Sequence, residues 1–148
     1  MKNLLFLLIA IIALPLAAQE NDYYVKKGFA VEGYDVTEYF NNKAVEGNSK
    51  HTYTYDGVAY KFATAANLEK FKKNPTKYLP QYGGYCAYAL AKNGEKVKVN
   101  PETFEIRDGK LYLFYNAWGT NTLESWLKEN PKELQKKADI SWKSVSKK

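Results

Sequence analysis

Hydrophobic and polar residues alternate most sharply between positions 51 and 62. His51, Tyr53 and Tyr55 alternate with Thr52 and Thr54, Asp56-Gly57 interrupts, and Val58, Tyr60 and Phe62 alternate with Ala59 and Lys61. A period of two on both sides of Asp-Gly predicts a β-hairpin with a two-residue turn at positive φ. That register places Tyr55 opposite Val58, Tyr53 opposite Tyr60 and His51 opposite Phe62, all on one face. The period then lengthens. Thr64 is placed to cap a helix, Leu68 and Phe71 fall on its inward side, and Lys70, Lys72 and Lys73 load its C-terminal end, where the helix dipole favours cations. Asn74-Pro75 ends that helix, and Pro75 to Leu79 suits one further turn.

The second half follows a similar plan, although its residues do not align with the first half well enough to identify a duplication. Gly83-Gly84 permits tight backbone geometry. Tyr85 to Ala91 suits a strand or a short helix, with the strand favoured, and Val97 and Val99, alternating with Lys96 and Lys98, suit a half-exposed strand. A second hairpin runs from Thr103 to Arg107, turns at Asp108-Gly109 and returns from Lys110 to Tyr115, with Phe104, Ile106, Leu111, Leu113 and Tyr115 inward. Two helices follow. Thr122 caps the first, which buries Leu123, Trp126 and Leu127. Asn130 caps the second, with Pro131 at its first position, Glu133 completing a capping box, and Leu134, Ala138 and Trp142 inward. The fold class expected is α+β: a small antiparallel sheet built from two hairpins, with helices packed against it.

The amino terminus stands apart. A basic Lys2, an apolar run from Leu4 to Leu14, Pro15 and then Leu16-Ala17-Ala18 have the layout of a secretory signal peptide. The expected organisation is a signal peptide at 1–18, a lead-in at 19–30, one domain at 31–142 and a basic tail at 143–148. Export to a periplasmic or secreted location follows, with no stable membrane span after signal removal. Aromatic side chains are abundant, with 13 tyrosines, 7 phenylalanines and 3 tryptophans, so the core is expected to be built from rings. The net charge of +6 comes from lysines spread along the chain, with Arg107 the lone arginine. That distribution suits a solvated surface and reads bases poorly, so nucleic acid is not an expected partner.

Cys86 and His51 are the lone cysteine and histidine. An exported single thiol is packed, metal-bound or reactive. Cys86 as thiolate and His51 as imidazole could hold Cu(I), whereas structural zinc wants four ligands. Alternatively, Cys86 serves thiol-redox chemistry, or is an inert buried residue of a ligand- or partner-binding module. Tyr82, Tyr85 and Tyr88 could line a small-ligand pocket or be core residues with polar tips. Asp35, Glu38, Glu124 and Glu129 read as ordinary surface carboxylates. No nucleophile elbow, phosphate loop or paired-histidine metal motif occurs, so catalysis is not the favoured reading.

Several stretches resemble the YHS-domain proteins of the secreted or periplasmic branch. They are Gly33-Tyr34-Asp35-Val36-Thr37-Glu38-Tyr39-Phe40, the hairpin from Tyr55 to Phe62, the segment Leu68 to Tyr78, the run Tyr82-Gly83-Gly84-Tyr85-Cys86-Ala87-Tyr88, and Asp108 to Leu113. The likeness covers nearly all of Val31 to Trp142. It implies soft-metal binding, copper first, because YHS domains of metal-handling proteins carry a cysteine pair near the strand-to-helix junction. Here the matching positions are Ala63 and Asn67, neither a soft ligand. The resemblance therefore implies that any such role moves to Cys86.

Overall fold

The two Asp-Gly turns form as their chemistry requires: Asp56 and Gly57 take φ of 51° and 77°, and Asp108 and Gly109 take 51° and 70°. The computed structural model describes residues 22–147, so the leader expected at 1–18 lies outside the described residues. The strands are β1 (Val25–Lys26), β2 (Phe29–Ala30), β3 (Asn48–Tyr55), β4 (Val58–Phe62), β5 (Asn100–Arg107), β6 (Lys110–Phe114), β7 (Asn116–Ala117) and β8 (Thr120–Asn121). The helices are α1 (Ala65–Lys73), α2 (Pro75–Tyr78), α3 (Ala87–Asn93), α4 (Thr122–Lys128) and α5 (Pro131–Val145). Short 3-10 turns lie at Val31–Gly33, Glu38–Asn41 and Gln81–Gly84. The class is α+β, with the strands distributed over four two-stranded antiparallel ladders. The lead-in is itself a small hairpin, and α5 runs through to Val145, so the first residues beyond 142 are helical.

Several expectations are corrected. Tyr55 pairs with Val58 and Tyr53 with Tyr60, but a register shift between Asn48 and Thr52 puts Asn48, not His51, opposite Phe62. The segment from Tyr85 to Ala91 is not a strand; most of it is α3. Gly83 and Gly84 turn the chain at φ of 60° and 89°, Cys86 sits at the N-cap, and Gly94 closes the helix at φ 71°. Ala87, Leu90 and Ala91 form a helical i, i+3, i+4 stripe, too short a sample to separate from strand in the sequence. Val97 and Val99 belong to no strand, because the Val97 carbonyl accepts the Cys86 N–H at 3.0 Å instead of joining a ladder. Asn121, not Thr122, caps α4, its side chain accepting from the Leu123 N–H at 3.1 Å, and Leu127 is exposed. Asn130 does cap α5, but the Glu133 carboxylate pairs with Lys136.

β6 divides the core. Leu111 and Leu113 face a cluster built on β4, α1 and α2, whereas Tyr112 and Phe114 face a second cluster built on α3, α4 and α5. A strand buried on both faces defeats the in–out alternation expected of a half-exposed hairpin.

The halves repeat one plan. Val31, Glu32 and Gly33 take φ of 49°, 55° and 86°, and Tyr82, Gly83 and Gly84 take 57°, 60° and 89°. The next residue but one in each half is Asp35 or Cys86, whose N–H donates to Val45 O at 2.8 Å or Val97 O at 3.0 Å. The ladders match shift for shift: Asn48 pairs with Phe62 and Thr52 with Lys61, and Asn100 pairs with Phe114 and Phe104 with Leu113. Beyond them, Asn67-Leu68-Glu69-Lys70-Phe71 corresponds to Thr122-Leu123-Glu124-Ser125-Trp126, and Asn74-Pro75 to Asn130-Pro131. Phe71 and Trp126 are both fully buried beneath their hairpins, Phe71 at 5.0 Å from the Tyr60 ring and Trp126 at 5.9 Å from the Tyr112 ring. The β7–β8 hairpin is an insertion in the second half.

Candidate functional site

The repeated plan sets Cys86 in the position that Asp35 holds in the first half. Asp35 is not a surface carboxylate; it is completely buried. Among the described residues no cation pairs with it. Four donors take that role: the Thr37 N–H at 2.9 Å, the Thr37 hydroxyl at 2.8 Å, the Ala63 N–H at 2.8 Å and the Asn67 side-chain amide at 2.9 Å. A buried carboxylate persists when its lone pairs are met in this way. The same Asn67 amide also donates to Glu38 at 2.6 Å, and this bond holds the Glu38 carboxyl below its ordinary range. Ala63 and Asn67, which the resemblance sets against a metal-binding cysteine pair, therefore serve a carboxylate–amide network.

Around Cys86 the equivalent atoms form a closed circuit. The Tyr115 N–H donates to Sγ at 3.3 Å. The Thr122 hydroxyl donates to the Tyr115 carbonyl at 2.8 Å and lies 3.4 Å from Sγ. That hydroxyl carries one proton, which the carbonyl takes, so the thiol proton points at Thr122 Oγ1. Sulfur thus both donates and accepts, and Cys86 is completely buried. Nucleophilic and metal-ligating cysteines need access; this sulfur is engaged by Tyr115 and Thr122 and has none. His51 stands half-buried on β3, beside the register shift, and no hydrogen bond joins it to Cys86. Among the described residues no group of three or more His, Cys, Asp and Glu is placed to hold a metal ion. The donors as arranged offer copper one sulfur, buried and already engaged by Tyr115 and Thr122.

The three tyrosines singled out in the sequence part company. Tyr88 donates its hydroxyl to Glu129 at 2.7 Å on the surface. Tyr85 lies against Tyr24 and Trp142, with ring centroids at 5.7 Å and 6.3 Å. Tyr82 alone of the three lines a cleft of about 660 Å³, and its hydroxyl donates to Asp139 Oδ1 at 2.9 Å. Burial, and then that bond to a carboxylate, push the Tyr82 phenol well above its ordinary range.

The cleft lies along the seam between the halves. Tyr23 and Asp56 come from the lead-in and the first hairpin turn, Leu79 to Gly83 from the junction, and Asp139, Trp142, Lys143, Ser146 and Lys147 from α5 and the residues after it. The junction is strained there: Tyr82, a non-glycine residue, is left-handed. A Cβ on Gly83 would overlap the Asp22 carbonyl, and the Gly83 carbonyl accepts the Tyr24 N–H at 2.8 Å. Glycine at 83 thus lets the lead-in close one wall. Asp139 and Trp142 were not recognised as site residues in the sequence; their i, i+3 spacing on α5 was the available signal.

A YHS domain is found at residues 36–82. The match covers the first half, from the residue after Asp35 to Tyr82, and stops where the second half begins. YHS domains are associated with copper handling. Nothing among curated proteins or solved structures matches the chain significantly. Most of the cleft wall, including Gly83, Asp139 and Trp142, lies outside the YHS match.

Proposed function

We propose that this chain is an exported, non-catalytic binding protein, made of a YHS unit and a diverged second copy of the same plan, with a small ligand taken in the cleft between them. The observation that carries this reading is the seam cleft itself: a strained, left-handed Tyr82 is anchored on Asp139 and walled by Trp142, at a volume usual for small-molecule sites. In this reading Cys86 is structural. Export is supported by the apolar run from Leu4 to Leu14 and the small residues that follow; mass spectrometry of the secreted or periplasmic form should find a mature chain beginning near Gln19. The binding reading is tested by nuclear magnetic resonance with small-molecule probes of cationic, anionic, apolar and polyhydroxylated type. At least one class should shift the Trp142 indole and Asp139 amide signals, with the shifts lost in Trp142→Ala. Silence from every class would remove the reading.

A second proposal is Cu(I) held by Cys86 and His51. Its support is the association of YHS domains with copper. It requires Tyr115 and Thr122 to release Sγ. Competition with a Cu(I) chelator should then show tighter binding by the unaltered protein than by Cys86→Ser, and equal affinities would exclude it.

A further inference from the structure

We propose that the ligand of the seam cleft is a neutral polyhydroxylated molecule of the saccharide class; this rests on the binding reading above and narrows it. The cleft presents three carboxylates, Asp22, Asp56 and Asp139, with two lysines, Lys143 and Lys147, and the Trp142 ring. An anion would face the three carboxylates. An ammonium would face two lysines, and Asp22 is already paired, its Oδ2 accepting from Lys96 Nζ at 2.5 Å. A wholly apolar ligand would strip water from charged groups without replacing its hydrogen bonds. A sugar meets each demand. Its C–H face covers an aromatic ring, and its hydroxyls donate to carboxylates while accepting from ammonium groups.

The acceptor side is pre-set. The Tyr82 hydroxyl takes Asp139 Oδ1, which orients the carboxylate and leaves Oδ2 to accept a ligand hydroxyl. Lys143, four residues on from Asp139, supplies a donor from the same helix face. Trp142 packs over the Gly83 turn and against Tyr82, so its ring is held in place before any ligand arrives.

The test titrates the purified protein with cellotriose, maltotriose and triacetylchitotriose, alongside spermidine, citrate and an anilinonaphthalene dye. Binding is read by calorimetry and by the Trp142 indole resonance. The expected result is that at least one saccharide binds and shifts that resonance. Trp142→Ala should weaken binding about tenfold or more, and Asp139→Asn about fivefold. Asp139 is exposed on α5, so its substitution keeps the test open if loss of Trp142 disturbs packing. Saccharide binding unchanged in both variants would overturn the placement in this cleft. If spermidine, citrate or the dye occupies the cleft and no saccharide does, the saccharide class falls while the binding reading stands. If nothing binds, both fall together.

Discussion

Replacing Cys86 by alanine removes one atom that serves two partners. The Tyr115 N–H at 3.3 Å loses its acceptor, and the Thr122 hydroxyl, 3.4 Å away, loses a donor. A buried donor left unsatisfied costs about 1–3 kcal/mol, and the lost apolar contact of sulfur adds about 1 kcal/mol. The expected total is therefore about 2–4 kcal/mol. Serine keeps both the donor and the acceptor, with a shorter bond to the side-chain atom, and should cost about 1–2 kcal/mol. Equilibrium urea unfolding of the three proteins at neutral pH measures both values, with the midpoint shift read at constant slope. The order is the diagnostic. If Cys86 is held by its hydrogen-bond circuit, Cys86→Ser is the more stable variant. If sulfur acts only as a small apolar group, Cys86→Ala is at least as stable as Cys86→Ser, and that result would refute the circuit. Thiol labelling of the native protein gives an independent check. Cys86 should react only on opening, with a rate that rises with urea in step with unfolding, and rapid labelling in water would also count against the circuit.

Three further outcomes follow from the same geometry. Gly83→Ala meets both an unfavourable φ and the Asp22 carbonyl, so it should cost about 2–4 kcal/mol and abolish hydrogen-exchange protection of the Tyr24 amide, which bonds Gly83 O. Glu38 is held below its usual range chiefly by the Asn67 amide; a carboxyl lowered on folding stabilises above its unfolded value, 4.5, and loses that contribution as pH falls through the folded value. Stability curves should therefore drop on acidification below about pH 4.5, and Asn67→Leu should flatten that drop; parallel curves would disprove the coupling. Trp118 is 93% exposed and left-handed at a hairpin turn, where asparagine is better suited, so Trp118→Asn should raise stability by about 0.5–1 kcal/mol, seen as a higher denaturation midpoint.

Local chemistry made much of this chain readable. Asp-Gly pairs need positive φ and gave both hairpin turns; Thr64 and Asn130 offer side-chain acceptors and cap their helices; prolines at 75 and 131 begin helices because a missing N–H costs nothing there. These effects act within a few residues, so the sequence carries them openly. The segment from Tyr85 to Ala91 has apolar spacing that suits both periods over so short a span, and what selects the helix over the favoured strand is the left-handed turn before it and the contacts of Leu90 with the second core.

Taken alone, the sequence determined the class of fold, the turn positions, the basic surface and the isolation of Cys86 and His51 as the only residues of their kinds. It did not identify the repeat: the pairing of Asn67-Leu68-Glu69 with Thr122-Leu123-Glu124 is below notice without the matched turns and ladders. The tertiary structure decided the rest. It buried Asp35 among four donors, set Cys86 at the equivalent place in the second half, and brought Tyr82, Asp139 and Trp142 to one cleft. The physical reason is distance along the chain. Whether a carboxylate is solvated or a thiol is engaged depends on donors that arrive from tens of residues away, and composition near the residue says nothing about them.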